Sequence, residues 1–177
     1  LTLGYPIAII IANADIKNRN TLLLLFILPM WMNMLLRTYA WMTILGNNGL
    51  INTLLSTFGL PTLGLLYNNG AVVLGMVYNF IPFMVLPIYT ALSKMDKNLI
   101  EASEDLGANK IQTFVKVVFP LSLPGVISGI IMVFMPAVSS FVIPRLLGGG
   151  KNALIGNLIE KLFSLGDWNF GSAVSII

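Results

Sequence analysis

Residues 38–93 contain no Asp, Glu, Lys or Arg, and neither do residues 117–144. A helix needs about 20 apolar residues to cross a hydrocarbon core of roughly 30 Å, and both runs exceed that length. Soluble domains carry about a quarter charged residues; here the figure is 10%, against 56% hydrophobic. The chain therefore reads as an all-α, multi-pass membrane protein. It has no Cys and no His, which removes disulfides, thiolate metal sites, Cys nucleophiles and His-based acid–base chemistry. The basic residues are scattered and form no stripe for nucleic acid.

About five transmembrane helices, partly truncated, are expected. Residues 1–12 read as the tail of one span, and 21–45 as a second with Pro29 at a kink. Residues 71–93 form a third, broken by Pro82 and Pro87. Residues 121–143 form a fourth, and a fifth begins near Gly171. The chain thus reads as an internal segment of a longer membrane protein, missing part of a helix at each end. Within the turn-rich stretch 46–70, Ile51, Leu54, Leu55 and Phe58 share helical spacing and suggest a short interfacial helix. Loops 13–20 and 94–120 hold Lys17, Arg19, Lys94, Lys97, Lys110 and Lys116, whereas 46–70 and 145–170 hold Arg145, Lys151 and Lys161. This asymmetry puts 94–120 on the cytoplasmic side.

One polar island, "LIEASEDLGANKIQTFVKVVFPLSLPG", interrupts the apolar sequence. Asn98 and Glu101 have capping-box spacing, and so do Asn109 and Gln112. Gly107 lies between them, where a left-handed residue ends a helix. Ile111, Phe114, Val115 and Val118 make one apolar face of the second helix, and Pro120 and Pro124 mark re-entry into the bilayer. The stretch 94–120 is thus a helix–Gly–helix elbow whose first helix carries Glu101, Glu104 and Asp105. A solvated connector with ordinary caps accounts for the spacing as well. Two capped helices are nonetheless more order than a passive connector needs, and they suit an elbow that receives a push from a soluble partner.

Further candidates lie in the apolar runs. Asn33, Arg37 and Trp41 share one helix face. A guanidinium inside a membrane belongs toward the bundle or a water-filled path, unless it snorkels or caps a neighbour's carbonyls; we expect Arg37 to turn toward a carbonyl or a partner. Tyr78, Asn79, Pro82, Phe83 and Pro87 form a kinked stretch suited to a translocation path, though kinks also serve packing. Glu160, Asp167 and Trp168 offer carboxylates and an aromatic to a cationic solute, as an ordinary wet loop does. "GGGKN" is no phosphate loop: position 145 is Arg instead of Gly, and position 152 is Asn instead of Ser or Thr.

The island resembles permease subunits of bacterial ABC importers. Their pattern runs Glu-Ala-Ala, three residues, Gly, nine residues, Ile-x-Leu-Pro. This chain has Glu101-Ala102-Ser103, Gly107 and Val117-Val118-Phe119-Pro120 at that spacing, departing at Ser103, Val117 and Phe119. "PMWMNMLLRTYAWMTILGNNGLIN", "YNFIPFMVLPIYTALSKMD", "FMPAVSSFVIPRLLGGGKNALIGNLI" and "GDWNFGSA" are similar to the spermidine/putrescine permease subfamily. The resemblance implies an importer-permease helical bundle in the bacterial inner membrane. It makes Glu101 the contact with an ATP-binding subunit and Gly107 the bend, with Ala102, Ser103 and Pro120 completing the motif. It also implies a pair of ATP-binding subunits, a second permease subunit and an extracytoplasmic solute-binding protein as partners. ATP is then bound by the partner, and this chain needs no cofactor. The solute is a polyamine or, failing that, another small molecule; a passive channel or a membrane enzyme is the reading from another class, and the elbow argues against a channel.

The orientation is open to a direct check, because the sequence has no background thiol. In intact cells a membrane-impermeant maleimide should label Asn152→Cys and leave Asn109→Cys unlabelled until the cells are permeabilised. Labelling of Asn109→Cys from outside overturns the assignment.

Overall fold

The computed structural model describes residues 1–150 and 154–176; Lys151 and Asn152, which enter the orientation and phosphate-loop arguments, lie outside them. Among the described residues all regular structure is helical: α1 (Gly4–Asn13), α2 (Ile16–Ile27), a 3-10 turn (Leu28–Trp31), α3 (Met34–Leu45), α4 (Leu50–Thr57), α5 (Asn69–Ser93), α6 (Lys97–Asp105), α7 (Lys110–Thr113), a π turn (Phe114–Val118), α8 (Phe119–Ser139), α9 (Val142–Leu147), α10 (Ile155–Ser164) and α11 (Trp168–Ile176).

The expectation of about five spans needs correction. Two helices are long and apolar enough to cross a membrane, Asn69–Ser93 and Lys110–Ser139; the broken pair Lys17–Trp31 and Met34–Thr57 makes a third if taken as one span. The 21–45 segment does not run through. α2 ends at Ile27, the 3-10 turn contains Pro29, and the Asn33 side chain accepts the Leu35 N–H at 2.8 Å to start α3 afresh. Pro29 supplies the break and Asn33 the new cap. The first and fifth expected spans appear as α1 and α11, of 10 and 9 residues.

The third span is continuous, with Pro82 and Pro87 inside α5. Each proline removes one backbone hydrogen bond, but Val85 and Ile88 are fully buried, and that packing offsets the loss. The helix that carries the fourth span starts earlier than expected, within the elbow. α7, the π turn and α8 form one helix, and the Phe119 N–H donates five residues back to the Phe114 carbonyl. Pro120 follows at once. It has no N–H to give and its ring crowds the carbonyl four residues back, so a wider turn relieves it.

The chain packs as two units. The first comprises Leu1–Pro29 and Phe80–Phe134. Its core joins Tyr5, Ala8 and Ile11 of α1 to Met84, Val85 and Ile88 of α5 and Val126 of α8. The α1 residues recur every three positions and so share one face. Glycines bring the backbones together: a Cβ on Gly125 would lie 2.6 Å from Ala91 Cβ and 2.7 Å from the Pro87 oxygen, and one on Gly129 would lie 2.9 Å from Met84 Sδ. Tyr5 spans the π turn. Its ring lies 5.7 Å from Phe114 at one end and 5.7 Å from Phe119 beyond the other. Its hydroxyl lies 2.5 Å from Ser122 Oγ. Ser122 donates its own proton to the Phe119 carbonyl, so Tyr5 is the donor.

The second unit comprises Met30–Asn79 and the chain from Met135 onward. Leu45, Ala71, Val72, Ile143 and Leu147 are buried, and Gly75 receives Leu147 and Ile143. The expected short helix exists as α4, with Ile51 and Leu55 half-buried and Leu54 and Phe58 exposed. Its one buried residue is Asn52. The Asn52 amide donates to the Gly46 and Leu63 carbonyls at 3.1 and 3.0 Å and accepts the Leu63 N–H at 2.8 Å, pinning the following loop. Tyr67 holds a left-handed φ of 61°, rare for a residue with a Cβ. Its N–H donates to the Leu147 carbonyl at 2.9 Å, and its ring covers Gly149.

Gly125→Val should disrupt the first unit. Neither Ala91 nor the Pro87 carbonyl has room to yield, and overpacking a closed contact costs about 1–3 kcal/mol. The thermal midpoint in detergent should fall, whereas Gly64→Ala, with nothing within 4 Å of its Cβ and no left-handed φ to strain, should leave it unchanged.

Candidate functional site

The polar island folds as two helices around a glycine. α6 is capped by Asp96, which accepts the Asn98 N–H at 3.0 Å, so the expected Asn98–Glu101 box gives way to a cap two residues earlier. Asp96 has the extended backbone a cap requires, and Asn98 is already helical. The far end closes as expected. Gly107 has φ +83°, its N–H donates to the Glu104 carbonyl at 2.9 Å, and the Ala108 N–H donates to the Ser103 carbonyl at 3.1 Å. These two bonds make a complete Schellman cap. The Asn109–Gln112 box forms in both directions, at 2.9 and 3.0 Å.

Glu101, Ala102, Gly107 and Pro120 are exposed, and Ser103 is half-buried. Among the described residues the one ion pair is Arg145–Glu160, so Glu101, Glu104 and Asp105 stand unpaired. Leu106 beside them is 88% exposed. The apolar face expected on the second helix is not a single buried face: Ile111 and Val115 are exposed, Phe114 and Val118 half-buried, and Thr113 is the buried residue. The π turn advances the register by one residue, so a 3.6-residue stripe cannot be carried through it. Beside the elbow lies a cleft of about 840 Å³, lined among others by Arg19, Lys97, Glu104, Lys110 and Phe114.

The other candidates divide. Arg37, Trp41 and Tyr78 meet in the second unit: the guanidinium carbon lies 6.0 Å from the Tyr78 ring centre, and Trp41 meets that ring edge-on at 5.3 Å. Among the described residues Arg37 meets no carbonyl, one of the two outcomes expected, and its Nε and Nη1 are buried without a hydrogen-bond partner. The aromatic face supplies the attraction instead. Asn33 is spent on capping α3. Asn79 is 2% exposed; its Nδ2 donates to the Gly75 carbonyl at 2.8 Å, and its Oδ1 has no partner. Phe83 belongs to the first packing unit. Asp167 accepts the Phe170 N–H at 3.4 Å at the start of α11, and Trp168 stacks edge-on against Phe163 at 5.4 Å. Glu160 pairs with Arg145 and is taken up by that contact. Thr113, Ser140 and Asn52 are buried polar residues that the sequence pattern did not single out. Only Asn52, beside a run of turn residues, carried a local signal.

These features define a class, an all-helical membrane protein with a polar elbow. The chain belongs to the family of binding-protein-dependent transport system inner membrane components, matched over residues 4–177. It is 43% identical, over 99% of its length, to the spermidine/putrescine transport system permease protein PotB of Escherichia coli (strain K12). It is 44% identical over 99% of its length to the protein of the same name from Haemophilus influenzae, and 38% identical over 82% of its length to a PotB homolog of Mycoplasma genitalium. The chain spans 65% and 63% of the first two relatives.

The Arg37 geometry has a measurable consequence. A half-buried guanidinium with two buried, unpartnered nitrogens costs stability, and an apolar replacement of similar length is often neutral or stabilising. Arg37→Met should therefore keep or raise the thermal midpoint in detergent. A drop of several degrees shows that the guanidinium has an acceptor that holds the fold.

Proposed function

We propose that this chain forms part of the transmembrane subunit of an ATP-driven importer in the bacterial inner membrane, with 94–120 as the cytoplasmic coupling elbow. The observation that carries this reading is the elbow's construction. Glu101 stands unpaired on an exposed helix that is stopped by a Schellman cap and restarted by a capping box, at the motif spacing of importer permeases. A short helix with no buried residue of its own is free to offer its outer face to a soluble ATP-hydrolysing subunit. Glu101, Ala102 and Leu106 supply a carboxylate and apolar surface for that contact. A second permease subunit and an extracytoplasmic binding protein complete the transporter.

Spermidine or putrescine is the proposed solute, supported by the names of the 43–44% identical relatives. Asn33, Arg37, Tyr78, Asn79, Phe83, Asp167 and Trp168 are the candidate path residues. The aromatic faces of Tyr78, Phe83 and Trp168 suit a flexible polycation. Arg37 repels one locally, and its place over Tyr78 occupies that face. Import of another small solute by the same machinery is the second reading, favoured by this uncompensated cation.

The test is uptake of labelled spermidine and putrescine by vesicles containing the full-length subunit reassembled with its partners. ATP-dependent uptake is expected. Glu101→Lys reverses the contact charge and Gly107→Pro removes the positive φ; each should abolish ATPase association or cut uptake at least tenfold. Normal uptake by both variants rejects the coupling role, and uptake of an unrelated solute alone rejects only the polyamine.

A further inference from the structure

We infer that Thr113 and Ser103 form a side-chain clasp that makes the elbow helix move as one piece with the spanning helix; this rests on the coupling reading above. α6 has no buried residue, so no hydrophobic core fixes its direction. It packs on α7 and the π turn, and between α6 and α7 the described residues show one side-chain to side-chain hydrogen bond, Ser103 Oγ to Thr113 Oγ1 at 2.9 Å.

The protons can be placed. Ser103 Oγ donates to the Ile100 carbonyl at 2.8 Å, which uses its only proton. Thr113 is therefore the donor and Ser103 the acceptor. Thr113 is 4% exposed, so its hydroxyl has little access to water, and a buried hydroxyl that loses its partner is penalised. The clasp sits where leverage demands it. Ser103 is two residues from Glu101, and its carbonyl also accepts the Schellman bond from Ala108. Thr113 is the last residue before the π turn, in the helix that continues to Ser139. A push on Glu101 thus reaches the long helix by two routes, the capped backbone through Gly107 and the clasp. The backbone route alone pivots at a glycine with open space around it. The clasp closes the triangle and stops that pivot. Ser103 stands where the Glu-Ala-Ala motif has alanine, so this chain adds a hydroxyl at the point the clasp needs one.

Thr113 and Ser103 are positioning residues, and their signature is a loss of coupling with retained assembly. The experiment measures ATP hydrolysed per labelled spermidine imported, at equal amounts of assembled transporter in vesicles. Ser103→Ala and Thr113→Val should each raise that ratio at least threefold. The double variant should match the worse single variant, because both remove one bond, and Thr113→Ser, which keeps the donor, should stay at the wild-type ratio. Wild-type ratios in both single variants, or a double variant equal to the product of the singles, overturn the clasp. Failure of all three hydroxyl-deleting variants to assemble overturns it in favour of a folding role. Glu101→Lys in the same assay separates the two proposals. Uncoupling by Glu101→Lys with intact coupling in the clasp variants rejects the clasp alone, and a normal Glu101→Lys rejects the contact itself.

Discussion

Hydrocarbon offers a backbone no water to bond, so every N–H and C=O within it must be satisfied by the chain itself. The helical content follows from that constraint, and so do the devices at helix ends. Gly59, Gly107 and Gly166 all take left-handed φ, and each closes a helix with paired bonds of the Schellman type. Asn33, Asp96 and Asn109 serve the opposite ends. Hydroxyls along the helices turn back on their own carbonyls, as Thr38, Thr90 and Ser128 do at 2.8 Å each, so a polar side chain costs little where no water reaches it.

The same medium removes the usual force between helices, because lipid tails are as apolar as leucine. What remains is close contact. In the first unit Gly4, Gly125 and Gly129 let backbones approach Met84, Pro87 and Ala91, while many Leu, Ile and Phe side chains remain exposed. Prolines then become tolerable inside helices: α5 continues through two of them, while Pro120 is met by a π turn that Tyr5 braces on both sides. The elbow is held differently. With no buried residue in α6, its geometry rests on hydrogen bonds, and that is what permits a charged outer face to remain free.

Much was legible in the sequence. The charge-free runs gave the membrane class, and Gly107 and the Asn109–Gln112 spacing gave the helix–Gly–helix elbow, because caps depend on residues within one turn of each other. Glu101 and Gly107, which the family motif picks out, are both exposed. The local reading failed where two local signals competed. Asp96 outcompeted Asn98 for the cap of α6. Asn33 turned an expected kink at Pro29 into a full stop. The π turn shifted the face that Ile111 and Val115 were assigned.

Sequence alone determined the medium, the helical class and the places where helices end, since each depends on composition or on neighbours three or four residues apart. Tertiary structure decided which polar groups find partners. Tyr5 and Ser122 are separated by 117 positions, Arg145 and Glu160 by 15, and Ser103 and Thr113 by 10 across a turn. No helical or strand period relates such residues. They meet because glycine contacts and a π turn set the distance and rotation of whole helices, and side-chain hydrogen bonds need donor and acceptor about 3 Å apart.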